Sequence, residues 1–319
     1  MMRNWRLLLS AVCITSIRGL VSITLFSPLL THASNVPGAF FQDVTQEAGL
    51  KTKPNPWRFG FGNPTWVDLN NDGLLDMVAS HHSHPPNIYL NTGYASFIET
   101  FKQSGLYANN IGRDHHGLAW GDANNDGNID VFVAEGTWSG ILDPQSALWL
   151  GDGSGKFRVA PDAIFNVAGR PAMWADVEND GDLDLLVLMG RQSSAAHGSV
   201  MLQLNNGDAT FLNGTDVSGL GALLSSLHLS VASFADIDND GDMDLLVGGE
   251  SPMRLLLNDG RGHFTDGQFP KTSSRGQGVS WGDFDNDGLL DVAINFGRPD
   301  YYKGLVTDTS RVEFCNMMR

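Results

Sequence analysis

Short apolar runs bounded by acidic or glycine-rich turns fill the chain from about residue 61 to 295, and one arrangement of them recurs five times. In each copy an aromatic residue (Trp66, Trp120, Trp174, Phe234 or Trp281) stands two positions before an acidic loop, and a mostly apolar run follows, as in 183–188. In the first four copies a tight turn comes next, at Asn91-Thr92-Gly93, Gly151-Asp152-Gly153, Asn205-Asn206-Gly207 and Asn258-Asp259-Gly260, and each leads to a phenylalanine: Phe97, Phe157, Phe211 and Phe264. Asn, Asp and Gly supply the positive φ that hairpin turns require. Runs of this length between turn signals predict strands, and near-continuous apolar runs predict strands covered on both faces. Each copy therefore reads as four strands, and no helical periodicity is found. Ahead of the copies, the segment 40–50 reads as a short strand at Phe41 followed by a turn.

The first acidic residues of the loops are 54, 54, 60 and 47 positions apart. Four-stranded units repeating at this period predict an all-β fold, a β-propeller of four-stranded blades with five recognisable repeats, in which radial packing buries both faces of each blade. A shortened seven-bladed propeller is the alternative. The periodic aromatics are expected to pack between blades. The last copy departs from the pattern, because no Asn-Gly hairpin follows Asn295 and the chain runs through Tyr301 and Tyr302 to Cys315 and Arg319. The preferred expectation is that the strand at Phe41 completes the fifth blade, since an open ring leaves sheet edges exposed. A truncated chain that folds poorly is a further reading of that tail.

The loops carry the chemistry. Oxygen-bearing side chains fall at positions 1, 3, 5 and 9, with Gly at position 6. The sets are Asp68, Asn70, Asp72 and Asp76; Asp122, Asn124, Asp126 and Asp130; Asp176, Glu178, Asp180 and Asp184; Asp236, Asp238, Asp240 and Asp244; and Asp283, Asp285, Asp287 and Asp291. Calcium takes six to eight oxygens, and such a turn can wrap one ion while Gly permits the sharp bend. Position 7 (Leu74, Asn128, Asp182, Asp242, Leu289) is expected to add its backbone carbonyl. An EF-hand is excluded, because it needs Glu at position 12 and flanking helices, whereas position 12 here is Ala79, Val133, Val187, Val247 or Ile294. Asp-Gly turns are common without metal. Five copies of the same crowded oxygens are another matter, since carboxylates packed together repel unless a cation is present. Up to five Ca2+ ions are expected, with the third loop the weakest because the longer Glu178 occupies position 3.

Charge changes the picture mainly through its location. The net charge is −16, and the five loops hold 20 of the 36 acidic residues. That concentration points to cations and excludes nucleic acid as a partner. Residues 1–33 contain no acid, three arginines, an apolar run and the small-residue site Thr31-His32-Ala33, so they read as a secretory signal peptide cleaved after Ala33. Arg18 leaves the apolar run short of the ~20 residues a spanning helix needs, so no membrane span is expected after cleavage. The propeller is then 34–319, secreted to an extracellular or periplasmic location, with a net charge of −19. Of the two cysteines, Cys13 leaves with the leader and Cys315 stays, so core burial or metal must supply the stability.

These loops resemble the FG-GAP/VCBS repeat family of integrin-α-like β-propellers. The opening Phe41-x-Asp43-Val44-Thr45-x-x-Ala48-Gly49-Leu50 is similar to that of the cartilage acidic protein and ASPIC/UnbV branch of that family. The resemblance implies a secreted or surface propeller with structural calcium and a binding or adhesion role. Strand direction puts the remaining loops opposite the acidic ones. There stand Lys51, Lys53, Arg58, Arg113, Arg170, Arg191, Lys271, Arg275 and Arg298, with His81, His82, His84, His115, His116, Trp57 and Trp138. That end is expected to bind an extracellular protein or glycan, and its histidines are candidates for a transition-metal or acidic-ligand site. No Gly-x-Ser-x-Gly, His-Glu-x-x-His or Walker motif is found, which favours a non-enzymatic module. The alternative is a polysaccharide- or phosphoester-active enzyme using Asp114, Glu135 or Glu250. Asn213-Gly214-Thr215 is a glycosylation acceptor in a eukaryotic secretory pathway.

Overall fold

The structure, a computed structural model, describes residues 42–50, 64–81, 84–106, 115–136, 146–165, 167–189, 199–225, 227–271, 278–295, 299–308 and 311–316. By compactness the chain divides into Met1–Val44 and Thr45–Arg319, and every described strand belongs to the second unit. The leader 1–33 and Phe41 lie outside the described residues; 42–44 carry no strand, and 45–49 form the expected turn.

Among the described residues, twenty strands form five four-stranded antiparallel sheets, each a meander of strands consecutive in the chain. The first blade is β1 (Thr65–Val67), β2 (Asp76–His81), β3 (His84–Asn91) and β4 (Phe97–Glu99). The second is β5 (His115–Gly121), β6 (Asp130–Glu135), β7 (Ser146–Gly151) and β8 (Phe157–Phe165). The third is β9 (Gly169–Ala175), β10 (Asp184–Met189), β11 (Val200–Asn205) and β12 (Phe211–Asn213). The fourth is β13 (Leu229–Ala235), β14 (Asp244–Gly249), β15 (Arg254–Asn258) and β16 (Phe264–Asp266). The fifth is β17 (Gly278–Gly282), β18 (Asp291–Asn295), β19 (Pro299–Asp308) and β20 (Arg311–Asn316). This is the all-β, bladed architecture the repeats predict. The acidic loops join the first and second strands of every blade, and each phenylalanine opens a fourth strand.

Period-two alternation in the second strands makes the core, because successive side chains point to opposite faces of a sheet. In β10, Leu185, Val187 and Met189 pack with Phe132, Ala134 and Leu148 of the second blade. Leu186 and Leu188, between them, pack with Leu245, Val247 and Leu256 of the fourth. β14 then turns Leu246 toward Val292 and Ile294 of the fifth blade, and β6 turns Val131 and Val133 toward Val78 and Ile88 of the first. Four apolar clusters thus fill the four interfaces between five consecutive sheets, which explains why β6, β10 and β14 are buried along their whole length.

Four of the five aromatics, Trp120, Trp174, Phe234 and Trp281, pack between blades as expected. The Trp174 indole N–H donates to the Ala119 carbonyl of the preceding blade at 3.1 Å, and Trp281 does so to Ser233 Oγ at 2.9 Å. Trp66, with no earlier described blade to lie against, is 52% exposed and rests on Phe97.

The fifth blade draws its four described strands from its own part of the chain, with β19 pairing β20 from Tyr302↔Asn316 to Asp308↔Arg311, and the strand expected at Phe41 lies outside the described residues. The tail lacks an Asn-Gly turn but still folds back as a hairpin. A short helix, α1 (Leu220–Leu224), also sits between the third and fourth blades, burying Leu220 and Leu224. Five residues give one i,i+4 pair, too little periodicity to register as a helix.

Leu186→Ala should destabilise the fold by about 2–5 kcal/mol, since a fully buried leucine leaves a cavity at an interface between blades. Urea denaturation checks this; a midpoint within error of the wild type would place the core elsewhere.

Candidate metal centre

Every acidic loop is wound by the same three backbone-to-carboxylate bonds. The position 5 N–H donates to Oδ1 of position 1 at 3.1–3.2 Å: Asp72 to Asp68, Asp126 to Asp122, Asp180 to Asp176, Asp240 to Asp236 and Asp287 to Asp283. The position 6 glycine N–H donates to the other oxygen of the same carboxylate at 2.8–3.1 Å. The position 7 N–H donates to Oδ1 of position 5 at 2.8–3.0 Å. The winding requires the left-handed region at position 6, where Gly73, Gly127, Gly181, Gly241 and Gly288 have φ from 81° to 95°.

Position 9 behaves differently. Asp76, Asp130, Asp184, Asp244 and Asp291 are all at most 2% exposed. One oxygen of each accepts the position 2 N–H: Leu69, Ala123, Val177, Ile237 or Phe284, at 2.8–3.2 Å. In the first four blades the other oxygen accepts the N–H of the last residue of the third strand, Asn91, Gly151, Asn205 or Asn258, at 2.7–2.9 Å. Burial pushes the Asp130 and Asp184 carboxyls up to about 6 and Asp244 to about 7, against the pull of those backbone bonds. Asp76 is raised by burial in the same way.

Of the three loops with acids at positions 1, 3 and 5, the structure brings the carboxylates together in the last two. Asp236, Asp238 and Asp240, and likewise Asp283, Asp285 and Asp287, each offer an oxygen within 4.8 Å of the others. In the fourth loop Asp238 Oδ1 is buried without a hydrogen-bond partner. Burial and the neighbouring Asp240 raise the Asp238 carboxyl to about 6. A hard cation supplies what this donor set lacks: a positive partner for an orphaned oxygen among crowded carboxylates. In the first two loops position 3 is an amide, and Asn70 and Asn124 donate to Oδ2 of Asp72 and Asp126 at 3.0 Å. In the third loop burial and the carboxylates of Asp180 and Asp176 raise Glu178.

The sequence matches the FG-GAP-like repeat profile over residues 68–133, 193–247 and 236–294, together more than half of the chain. The chain belongs to the FG-GAP-like repeat family. It is 26% identical to cartilage acidic protein 1 of Mus musculus over 67% of this chain and 32% of that protein. It is 24% identical to the Xenopus tropicalis protein of the same name over 58% of this chain and 28% of that one. The match thus spans about a third of the length of these relatives. Among solved structures, a lectin of Agrocybe aegerita that recognises non-reducing terminal N-acetylglucosamine superposes with a TM-score of 0.53 at 18% identity, over 82% of this chain and 67% of that one. That likeness shows the fold alone.

Two sets of residues in these FG-GAP-like repeats escaped the sequence reading. Position 4 is Asn in all five loops (Asn71, Asn125, Asn179, Asn239, Asn286), always left-handed with φ of 55–60°. Three of them reach the next blade. Asn71 Nδ2 donates to Asn128 Oδ1 at 2.8 Å, Asn125 to Asp182 Oδ1 at 2.7 Å and Asn179 to Asp242 Oδ1 at 2.6 Å. The second set lies at the ends of the third strands. Asn205 Nδ2 donates to the Ala123 carbonyl and Asn258 Nδ2 to the Val177 carbonyl, each in the preceding loop. Gly151 stands at that place in the second blade, and the Gly155 N–H instead donates to the Leu69 carbonyl at 3.0 Å. The fivefold recurrence of Asn at position 4 was the available signal.

At the other end of the strands, β2 ends and β3 begins at His81 and His84, which pair across the turn, and β5 begins at His115. The backbone therefore places these histidines opposite the loops, and it places Arg170 there too, at the start of β9. Lys271 is exposed and His116 half-buried. Lys51, Lys53, Trp57, Arg58, His82, Arg113, Asp114, Trp138, Arg191, Arg275 and Arg298 lie outside the described residues.

Asp184→Asn should cost about 1–3 kcal/mol even in chelator, because an amide cannot accept both the Val177 and Asn205 N–H groups with carboxylate oxygens. Urea unfolding in EDTA measures it, and an unchanged midpoint would show that these two bonds carry no structural weight.

Proposed function

We propose that this chain is a secreted, calcium-stabilised β-propeller that binds an extracellular protein or glycan at the strand ends opposite the acidic loops, without catalysis. In this reading residues 1–33 are its leader and 34–319 the propeller. The observation that carries the metal is the fourth loop, where the partnerless Asp238 Oδ1 lies among three carboxylates within 4.8 Å. Positions 1, 3 and 5 supply the first oxygens. The position 9 carboxylate has about four lone-pair sites and uses two on backbone N–H groups, so it retains capacity for a cation. The other four loops share the winding, so the full set of twenty side chains is assigned to up to five ions.

The binding role is supported by the family, by the resemblance to cartilage acidic protein 1, and by a lectin of the same fold. Loops on a rigid scaffold are where such folds place recognition. The enzymatic alternative rests on three acids without a catalytic motif, of which Glu135 is 4% exposed at the end of β6, Glu250 is exposed and Asp114 lies outside the described residues.

Calcium should raise the unfolding temperature. An ion at a hundredfold excess over its Kd contributes about 2.7 kcal/mol per site. Thermal unfolding with CaCl2 and with EDTA tests this, and superimposable curves would remove the metal from the proposal. For the ligand, arrays of glycans, terminal N-acetylglucosamine among them, and of matrix proteins should give at least one binder. That binding should be lost in Arg113→Ala combined with His115→Ala; retention would move the site away from those strand ends.

A further inference from the structure

The hydrogen bonds from position 4 to the next loop do more than hold blades together. Asn71, Asn125 and Asn179 each stand in sequence between positions 3 and 5 of one loop. Each donates to the side chain at position 7 of the following loop, Asn128, Asp182 or Asp242. The backbone of that residue is itself fixed by its N–H on the position 5 carboxylate. A cation that draws positions 3 and 5 together in one loop therefore orders the donor Asn, and through it the loop of the next blade. The fifth loop lies outside this chain of bonds, because its position 7 is Leu289, whose side chain holds no acceptor.

We infer that Asn71, Asn125 and Asn179 are positioning residues that couple the first four cation loops, so that these load calcium as a linked set while the fifth loads independently. This inference rests on the calcium reading above. The two are separable, because ions can bind without communicating. The physical basis is shared ordering: a contact that must form for either site to be competent is formed once, and the second ion gains from it. The left-handed backbone at Asn125, φ 57°, supplies a clean perturbation, since glycine keeps that conformation and removes only the amide.

The experiment is calorimetric titration of the full chain, freed of calcium, with CaCl2. The wild type should bind several ions, most of them with an isotherm steeper than independent sites give. Asn125→Gly should lose that steepness, with the linked sites weakened by about fivefold or more, the lower range for coupled sites. Asn239→Gly, the same change facing the fifth loop, should titrate as the wild type does. Should Asn125→Gly fail to fold, Asp182→Leu copies the fifth loop and should lose the coupling. Asp182→Asn copies the second loop and should keep it. Absence of any calcium heat in the wild type would overturn the calcium reading and this inference with it. Calcium binding with equal isotherms for wild type, Asn125→Gly and Asp182→Leu would overturn the coupling alone, as would equal weakening by Asn125→Gly and Asn239→Gly.

Discussion

The rest of the structure hangs on a carboxylate that each blade buries at the start of its second strand, where one oxygen takes a backbone N–H from the acidic loop and the other, in the first four blades, an N–H from the third strand. A buried carboxylate is costly, and charge-assisted bonds to both oxygens are what offset that cost. The bonds fix three segments at one point: the loop, the second strand and the hairpin that follows the third. Asp184 shows the result, joining Val177, its own strand and Asn205. With that corner fixed, the loop's remaining carboxylates are held at the end of the strands, wound by the loop's own N–H groups.

The same corner fixes the register of the second strand, and that register decides the core. A slip of one residue would exchange the two faces of β10 and send Leu185 and Val187 toward the fourth blade and Leu186 toward the second. Because both faces are apolar, alternation of polarity cannot prevent such a slip. Size and the polar ties between blades must do so instead. Asn205 on the Ala123 carbonyl and Trp174 on the Ala119 carbonyl bind the third blade to the second at two heights. The polar bonds thus specify an arrangement whose stability comes mainly from the apolar clusters.

Much of this was legible in the sequence, for physical reasons. Recurrence at a fixed period exposed the blades, and Gly at position 6 and the Asn-Gly turns marked places where φ must be positive. What spacing could not reveal was direction. Positions 1, 3, 5 and 9 carry the same oxygens, yet Asp236, Asp238 and Asp240 converge on one another while Asp244 turns inward to backbone N–H groups. Composition names a ligand type and says nothing about which neighbour claims each lone pair. Position 4 was overlooked for the opposite reason, since Asn in a turn already has a local explanation and so hid its contact to a residue 57 or 63 positions away. The hairpin of β19 and β20 lacks the turn residues that announce the others, so only pairing reveals it.

The arrangement also bears on where recognition can occur. At the loop end, the side chains at positions 1 and 5 accept from their own loop in every blade, and three position 4 amides bond position 7 of the next loop across the first four blades, so a ligand arriving there must compete with bonds already made. The motif places none of its recurring residues at the opposite strand ends, and the described residues there differ from blade to blade: His81 and His84 in the first, His115 and His116 in the second, exposed Lys271 after the fourth. A repeat that spends its shared residues on mutual order leaves variation to the end where they are absent. Variation is what specific recognition needs, since a ligand that reads one blade must find something there that the others do not offer.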